Sequence, residues 1–244
     1  MKKVYLFQMT ILSVFLVSFL VIAGCGSGGG GAAAPGYAFQ DNFDSYTAAH
    51  PWTPAGGWAY GDSSDSGAWS IENSGLTGNG LEFIGSGVDF LVSSYTGDDY
   101  TVTVRVRPTS IVVGQGFGIF ARYDAGKNCY GMVVFNKSPG PGNSLAIYKF
   151  YNSDGSNGAP WVIDYLATAL DTDTYYTLTL KVSGSVPNPV ITATVTDGVN
   201  SQTLTYTDDN STYGSAIPSG KAGVWVYASS GIPVIYDDFT VTEP

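Results

Sequence analysis

From Tyr37 to the C-terminus, apolar and polar residues alternate with a period of two in one short segment after another, and none sustains the 3.6-residue period of an amphipathic helix. The clearest segment is DYTVTVRVRP, residues 99–108, with Tyr100, Val102, Val104 and Val106 on one face and Thr101, Thr103, Arg105 and Arg107 on the other. The same pattern predicts strands at 116–124, 129–136, 144–152, 175–183, 190–197, 201–207, 222–228 and 234–241, all drawing on Val, Ile, Thr, Tyr and Phe. Between them lie DAGKN, SPGPGN, NSDGSNG and DGVN, clusters of the residues that turn a chain. So many short strands at near-regular spacing predict an all-β fold, a two-sheet antiparallel sandwich or jelly roll.

The first 36 residues follow another pattern. Lys2 and Lys3 precede an uncharged apolar run from Met9 to Ala23. At about 15 residues the run suits the core of a secretory signal helix better than a spanning helix, which needs about 20. Ile22-Ala23-Gly24-Cys25 resembles the bacterial lipobox, and that resemblance implies cleavage before Cys25 and a lipid on its sulfur. Gly26 to Gly36 is then a slack tether, since glycine-rich chain loses too much entropy on ordering. The expected organisation is a lipoprotein signal peptide over 1–24, the lipidated Cys25 and a tether over 25–36, and one β-sandwich domain over 37–244. Enterobacterial lipoproteins retained at the inner membrane carry Asp after the cysteine. Gly26 stands there in this chain, which points to an outer membrane or cell surface.

Composition narrows the partners. Residues 1–24 hold two lysines and no acid, so 8 basic groups face 20 acidic ones in the remainder, a net charge of about −12. Nucleic acid, which needs concentrated Lys and Arg, is excluded as an expected partner. With Cys25 lipidated, Cys129 has no partner for a disulfide and reads as a small buried hydrophobe.

Six segments in order, FQDNFDSY, WSIENSGLTGNGLEF, GFGIFARYDAGKNCYGMVVF, LAIYKFYN, DTDTYYTLTLKVSG and GKAGVWVYASSGIPVIYDDFTVTEP, resemble the laminin-G-like, concanavalin A-like lectin and glucanase jelly roll. The resemblance covers about residues 38–242. It implies a fold that hosts lectins, carbohydrate-binding modules, glycosidases and adhesion domains alike. The glucanases of that group take an acid and a nucleophile from a Glu-x-Asp-x-x-Glu strand. The three glutamates here, Glu72, Glu82 and Glu243, form no such array, and neighbours such as Asp237 and Asp238 point to opposite faces of a strand. His50 is the only histidine, and no Gly-x-Ser-x-Gly elbow, Walker loop or zinc-ligand cluster is present. The sequence therefore predicts a chain that is not an enzyme.

The resemblance also implies a structural Ca²⁺ fed by an Asp of the last strand. Asp238 is the matching position, with Asp237 beside it and Asp41 and Asp44 supplying oxygen ligands from the first strand. NSDGSNG lacks the closing Glu of a calcium loop and reads as a hairpin turn, and the NST sequon at 210–212 has no clear meaning in a bacterial lipoprotein. For sugar binding, Arg122 is expected to project from GIFARYD onto the concave surface. Tyr130, Tyr148 and Tyr175 would join it from neighbouring strands and Trp161 from the rim, as rings for sugar C–H faces. The leading reading is a surface-anchored lipoprotein that binds glycan without cleaving it. The alternatives are an adhesion or scaffold module contacting protein or matrix, and a polysaccharide-acting glycosidase or lyase.

Overall fold

The computed structural model describes residues 36–61, 69–76, 78–110, 112–137, 142–151, 158–165, 170–172, 174–211, 214–228 and 234–244. The signal and tether segments, with Cys25, lie outside this range, as does most of NSDGSNG. Fifteen strands are described: β1 (Phe39–Asp41), β2 (Trp58–Tyr60), β3 (Trp69–Glu72), β4 (Gly80–Phe83), β5 (Gly87–Gly97), β6 (Tyr100–Pro108), β7 (Gly116–Tyr123), β8 (Cys129–Lys137), β9 (Gly142–Phe150), β10 (Gly158–Tyr165), β11 (Tyr176–Ser183), β12 (Val190–Thr196), β13 (Ser201–Thr207), β14 (Gly220–Ala228) and β15 (Val234–Thr242). Sheet I runs β13-β12-β11-β6-β15-β4-β3, with β1 also pairing to β15; sheet II runs β10-β9-β8-β7-β14-β5-β2. All pairs are antiparallel. The all-β sandwich predicted from alternation is the observed fold.

The core forms where the two inner faces meet. From sheet I come Val102, Val104 and Val106 of β6, Leu178 and Leu180 of β11, and Tyr236 of β15; from sheet II come Ile119 of β7, Met132 and Val134 of β8, and Val224 of β14. Tyr236 ties the layers together, its hydroxyl donating to Trp225 O at 2.6 Å across the sandwich. A second apolar cluster covers the outer face of sheet II: Phe90, Val92, Phe120, Cys129, Val133, Phe150 and Trp225. Glycines make room for these rings, since a Cβ at Gly116 would stand 3.2 Å from both the Trp225 ring and Phe135. Cys129 is fully buried here, and burial pushes its thiol pKa well up, so it behaves as an inert hydrophobe.

Two left-handed residues break the alternation. Arg122 has φ 56° and Asp238 φ 51°. Each marks an extra residue in its strand, and the register shifts beside them on β14 and β15. Each extra residue inverts the faces of the residues that follow it. Tyr123 turns to the outer face of sheet II, where it packs on Phe90 and Phe120, rather than joining Ile119 and Ala121 in the core. Phe239 joins Tyr236 in the inter-sheet core rather than sharing a face with Ile235 and Asp237.

Candidate functional site

One end of the sandwich carries a cavity of about 580 Å³, lined by Asp124, Asn128, Lys149, Tyr151 and the backbone stretch Gly214 to Pro218. The turn between β7 and β8 makes the first wall. Asp124 N donates to Asn128 O and Lys127 N to Asp124 O, both at 3.0 Å, closing the turn with Lys127 at φ 61°. The Asp124 carboxylate then accepts from Asn128 N at 2.9 Å and from Asn128 Nδ2 at 2.9 and 3.0 Å, which fixes both polar heads. Tyr151, at the end of β9, keeps 37% of its surface open.

The opposite wall is held from beneath by buried charge. Lys149 Nζ donates to Gly214 O at 2.9 Å and Ser215 O at 2.8 Å, and pairs with Asp208 Oδ2 at 3.0 Å. Tyr130 Oη donates to the same Asp208 oxygen at 2.7 Å and accepts from Ile217 N at 2.8 Å. Arg122 Nη1 donates to Ile217 O at 2.8 Å. A buried network of this kind rigidifies what it touches, and here it touches Gly214, Ser215 and Ile217 of the cavity wall.

This geometry reassigns the expected sugar-binding residues. Arg122 does not project onto an outer surface: it is fully buried, because the bulge swings its side chain in to reach Asp98 O, Gly184 O and Ile217 O. Tyr130 faces the core, and burial together with its bond to Asp208 raises its hydroxyl pKa. Both lie under the cavity wall rather than on it. Tyr148 sits on the outer face of sheet II, stacked on Phe150 at 5.5 Å, where burial raises its pKa. Tyr175 lies immediately before β11 of the other sheet and donates to Ser74 O at 3.1 Å. Trp161 falls at the register shift of β10, and its side chain lies outside the described residues. The five form no single platform. The cavity's own polar groups, Asp124 and Asn128, were legible only as the turn DAGKN.

Three of the four acids expected at calcium are engaged in hydrogen bonds, and the fourth, Asp238, marks the bulge of β15. Asp41 accepts from Phe43 N at 2.8 Å, Trp58 Nε1 at 2.8 Å and Tyr46 Oη at 2.5 Å. Asp44 accepts from Asn79 N at 2.9 Å and Asn42 Nδ2 at 2.9 Å. Asp237 accepts from Leu76 N at 2.6 Å and Asp238 N at 2.8 Å. Among the described residues no three His, Cys, Asp or Glu side chains gather as a metal ion would require.

Asp237 supplies a prediction. Burial raises its pKa against two backbone N–H donors that lower it, and the Asp238 and Asp44 charges raise it further. A raised acid favours folding fully below the unfolded value near 4, and that contribution is lost as pH climbs through the folded value. The melting temperature of Asp237→Asn minus that of wild type should therefore grow more positive from pH 4 to pH 7. A flat or falling difference would show a carboxylate stabilised in place.

No family model matches the sequence, and no curated protein does. Solved structures share the fold. The carbohydrate-binding module CBM66 from Bacillus subtilis is 18% identical with a TM-score of 0.55, covering 77% of this chain and 96% of its own. The winged bean acidic lectin complexed with methyl-α-D-galactose is 11% identical with a TM-score of 0.52, covering 83% and 97%. The xylan β-1,4-xylosidase from Bacillus halodurans C-125 is 15% identical with a TM-score of 0.54, covering 84% of this chain and 39% of its own.

Further matches are glycoside hydrolases of family GH43, and this chain spans about two fifths of each, as it does of the xylosidase. These neighbours correct the expectation that the chain is not an enzyme. That expectation rested on missing motifs, the Glu-x-Asp-x-x-Glu strand first among them, and each missing motif excludes only the arrangement it describes.

Proposed function

We propose that this chain is an exported protein, lipid-anchored through Cys25 at an outer membrane or cell surface, whose sandwich binds carbohydrate in the end cavity. The carrying observation is the convergence there of a carboxylate, an amide, an accessible tyrosine ring and a fixed backbone wall. Sugars need these groups together: acceptors and donors in fixed positions for the hydroxyls and a ring for the C–H face. The wall is preorganised by Lys149, Tyr130 and Arg122, so little ordering opposes binding. Recognition of a saccharide is also common to the named neighbours, whether module, lectin or hydrolase.

A glycan array separates this reading from adhesion to protein or matrix. Asn128→Ala and Tyr151→Ala should each weaken the best glycan about tenfold, the size of one lost hydrogen bond or stacking contact. An array on which nothing is retained, or a double variant that binds like wild type, would remove the cavity from consideration.

A further inference from the structure

We infer that the outer face of sheet I carries a second ligand site, a cradle for the carboxylate of an acidic sugar, built by Arg105, Arg107 and Tyr175. The two arginines alternate outward from β6 and so stand about 7 Å apart along the strand. Both guanidinium carbons lie 5.6 Å from the centroid of the Tyr175 ring, which fixes them around one ring. The ring is itself anchored by its hydroxyl to Ser74 O.

The acceptors that would ordinarily serve these cations are engaged elsewhere. Asp237 is the register partner of Arg105, yet its oxygens take Leu76 N and Asp238 N. Arg107 pairs with Ile235, which in turn pairs with Glu82, so that carboxylate stands one strand further off and makes no ion pair with Arg107. Glu72 leans towards His50, 3.7 Å away. Arg105 Nε is sealed from solvent without a hydrogen-bond partner among the described residues, and so is the hydroxyl of Ser70, fully buried and paired in register with Glu82.

Two half-buried guanidiniums side by side without an acceptor are unfavourable, and an unmade bond at a sealed N–H adds to the cost. A carboxylate offers what is missing: planar, bidentate and anionic, it matches the guanidinium fork. Glu82 lies beyond Ile235 on the same face and can accept a hydroxyl of the same sugar, while the Tyr175 ring supplies the apolar edge. The ligand class is a uronic acid.

The test uses trigalacturonate, the corresponding neutral galactose trisaccharide and polyglutamate as probes of the whole lipoprotein in nanodiscs. Trigalacturonate should bind, weaken several-fold between 50 and 500 mM salt, and lose at least tenfold in the Arg105→Gln/Arg107→Gln variant. Asn128→Ala should bind trigalacturonate unchanged, which separates this site from the end cavity. Equal binding of the neutral trisaccharide, equal binding of polyglutamate, or an unaffected arginine variant would overturn the proposal. If the double variant fails to fold, NMR of the wild type decides: Tyr175 ring resonances must shift on titration with trigalacturonate, and unmoved resonances overturn it.

Discussion

Arg122→Met should melt about 10–15 °C below wild type. The side chain is fully buried and its guanidinium donates to three carbonyls, Asp98 O at 2.7 Å, Ile217 O at 2.8 Å and Gly184 O at 2.8 Å. Methionine keeps most of the volume and leaves all three acceptors short of a donor. The ion pair with Asp99, at 3.2 Å, adds little because that carboxylate is 40% exposed. Unmet buried acceptors and a lost clamp amount to about 4 kcal/mol, and a domain of this size moves about 2–4 °C per kcal/mol. Backbone strain at φ 56°, costing about 1 kcal/mol in a non-glycine residue, is shared by Arg and Met and so does not produce this drop, though it would mask a weak clamp in other variants. Arg122→Gly separates the two: it relieves the strain but removes the donors, so it should fall nearly as far as Arg122→Met. A glycine variant as stable as wild type, or a methionine variant within about 3 °C of it, would show that the clamp contributes little.

The reason Arg122 misled the sequence reading is local. Alternation assigns faces correctly only while each residue advances one step, and nothing in GIFARYD announces that Arg122 is an added residue in the left-handed region. The same holds for Asp238 in IYDDFTV. Where no bulge intervenes, the pattern is reliable: the segment read at 99–108 is β6, with its alternate residues buried as expected, and the readings at 190–197 and 201–207 match β12 and β13 within a residue. β5 escaped notice for the opposite reason. Phe90 and Val92 face the second cluster while Leu91 and Ser93 face inward, so a strand buried on both sides shows no alternation at all. The cavity was hidden more deeply. Asp124 and Asn128 look like any turn pair, and only the return of the chain at Gly214 to Pro218, some ninety residues later, gives them an opposing wall.

That wall is the subject of the other large effect. Lys149 and Asp208 form an ion pair with both side chains almost wholly out of solvent. Removing the acid strands the ammonium among carbonyl dipoles, so Asp208→Leu should cost about 3–5 kcal/mol, a fall of about 10–15 °C in melting temperature. Lys149→Met should cost less, because Asp208 keeps donors from Tyr130 Oη and Asn210 N, at 2.7 and 3.1 Å. The double variant should melt above Asp208→Leu alone, since replacing both members of a buried pair by apolar groups removes the stranded charge. Effects that simply add would mean the two groups do not interact. Binding separates support from mere stability. Lys149→Met releases Gly214 O and Ser215 O, so at temperatures well below its melting point it should still lose glycan affinity about as much as Asn128→Ala. A folded Lys149→Met variant with wild-type affinity would show that the buried pair holds the sandwich together without shaping the cavity above it.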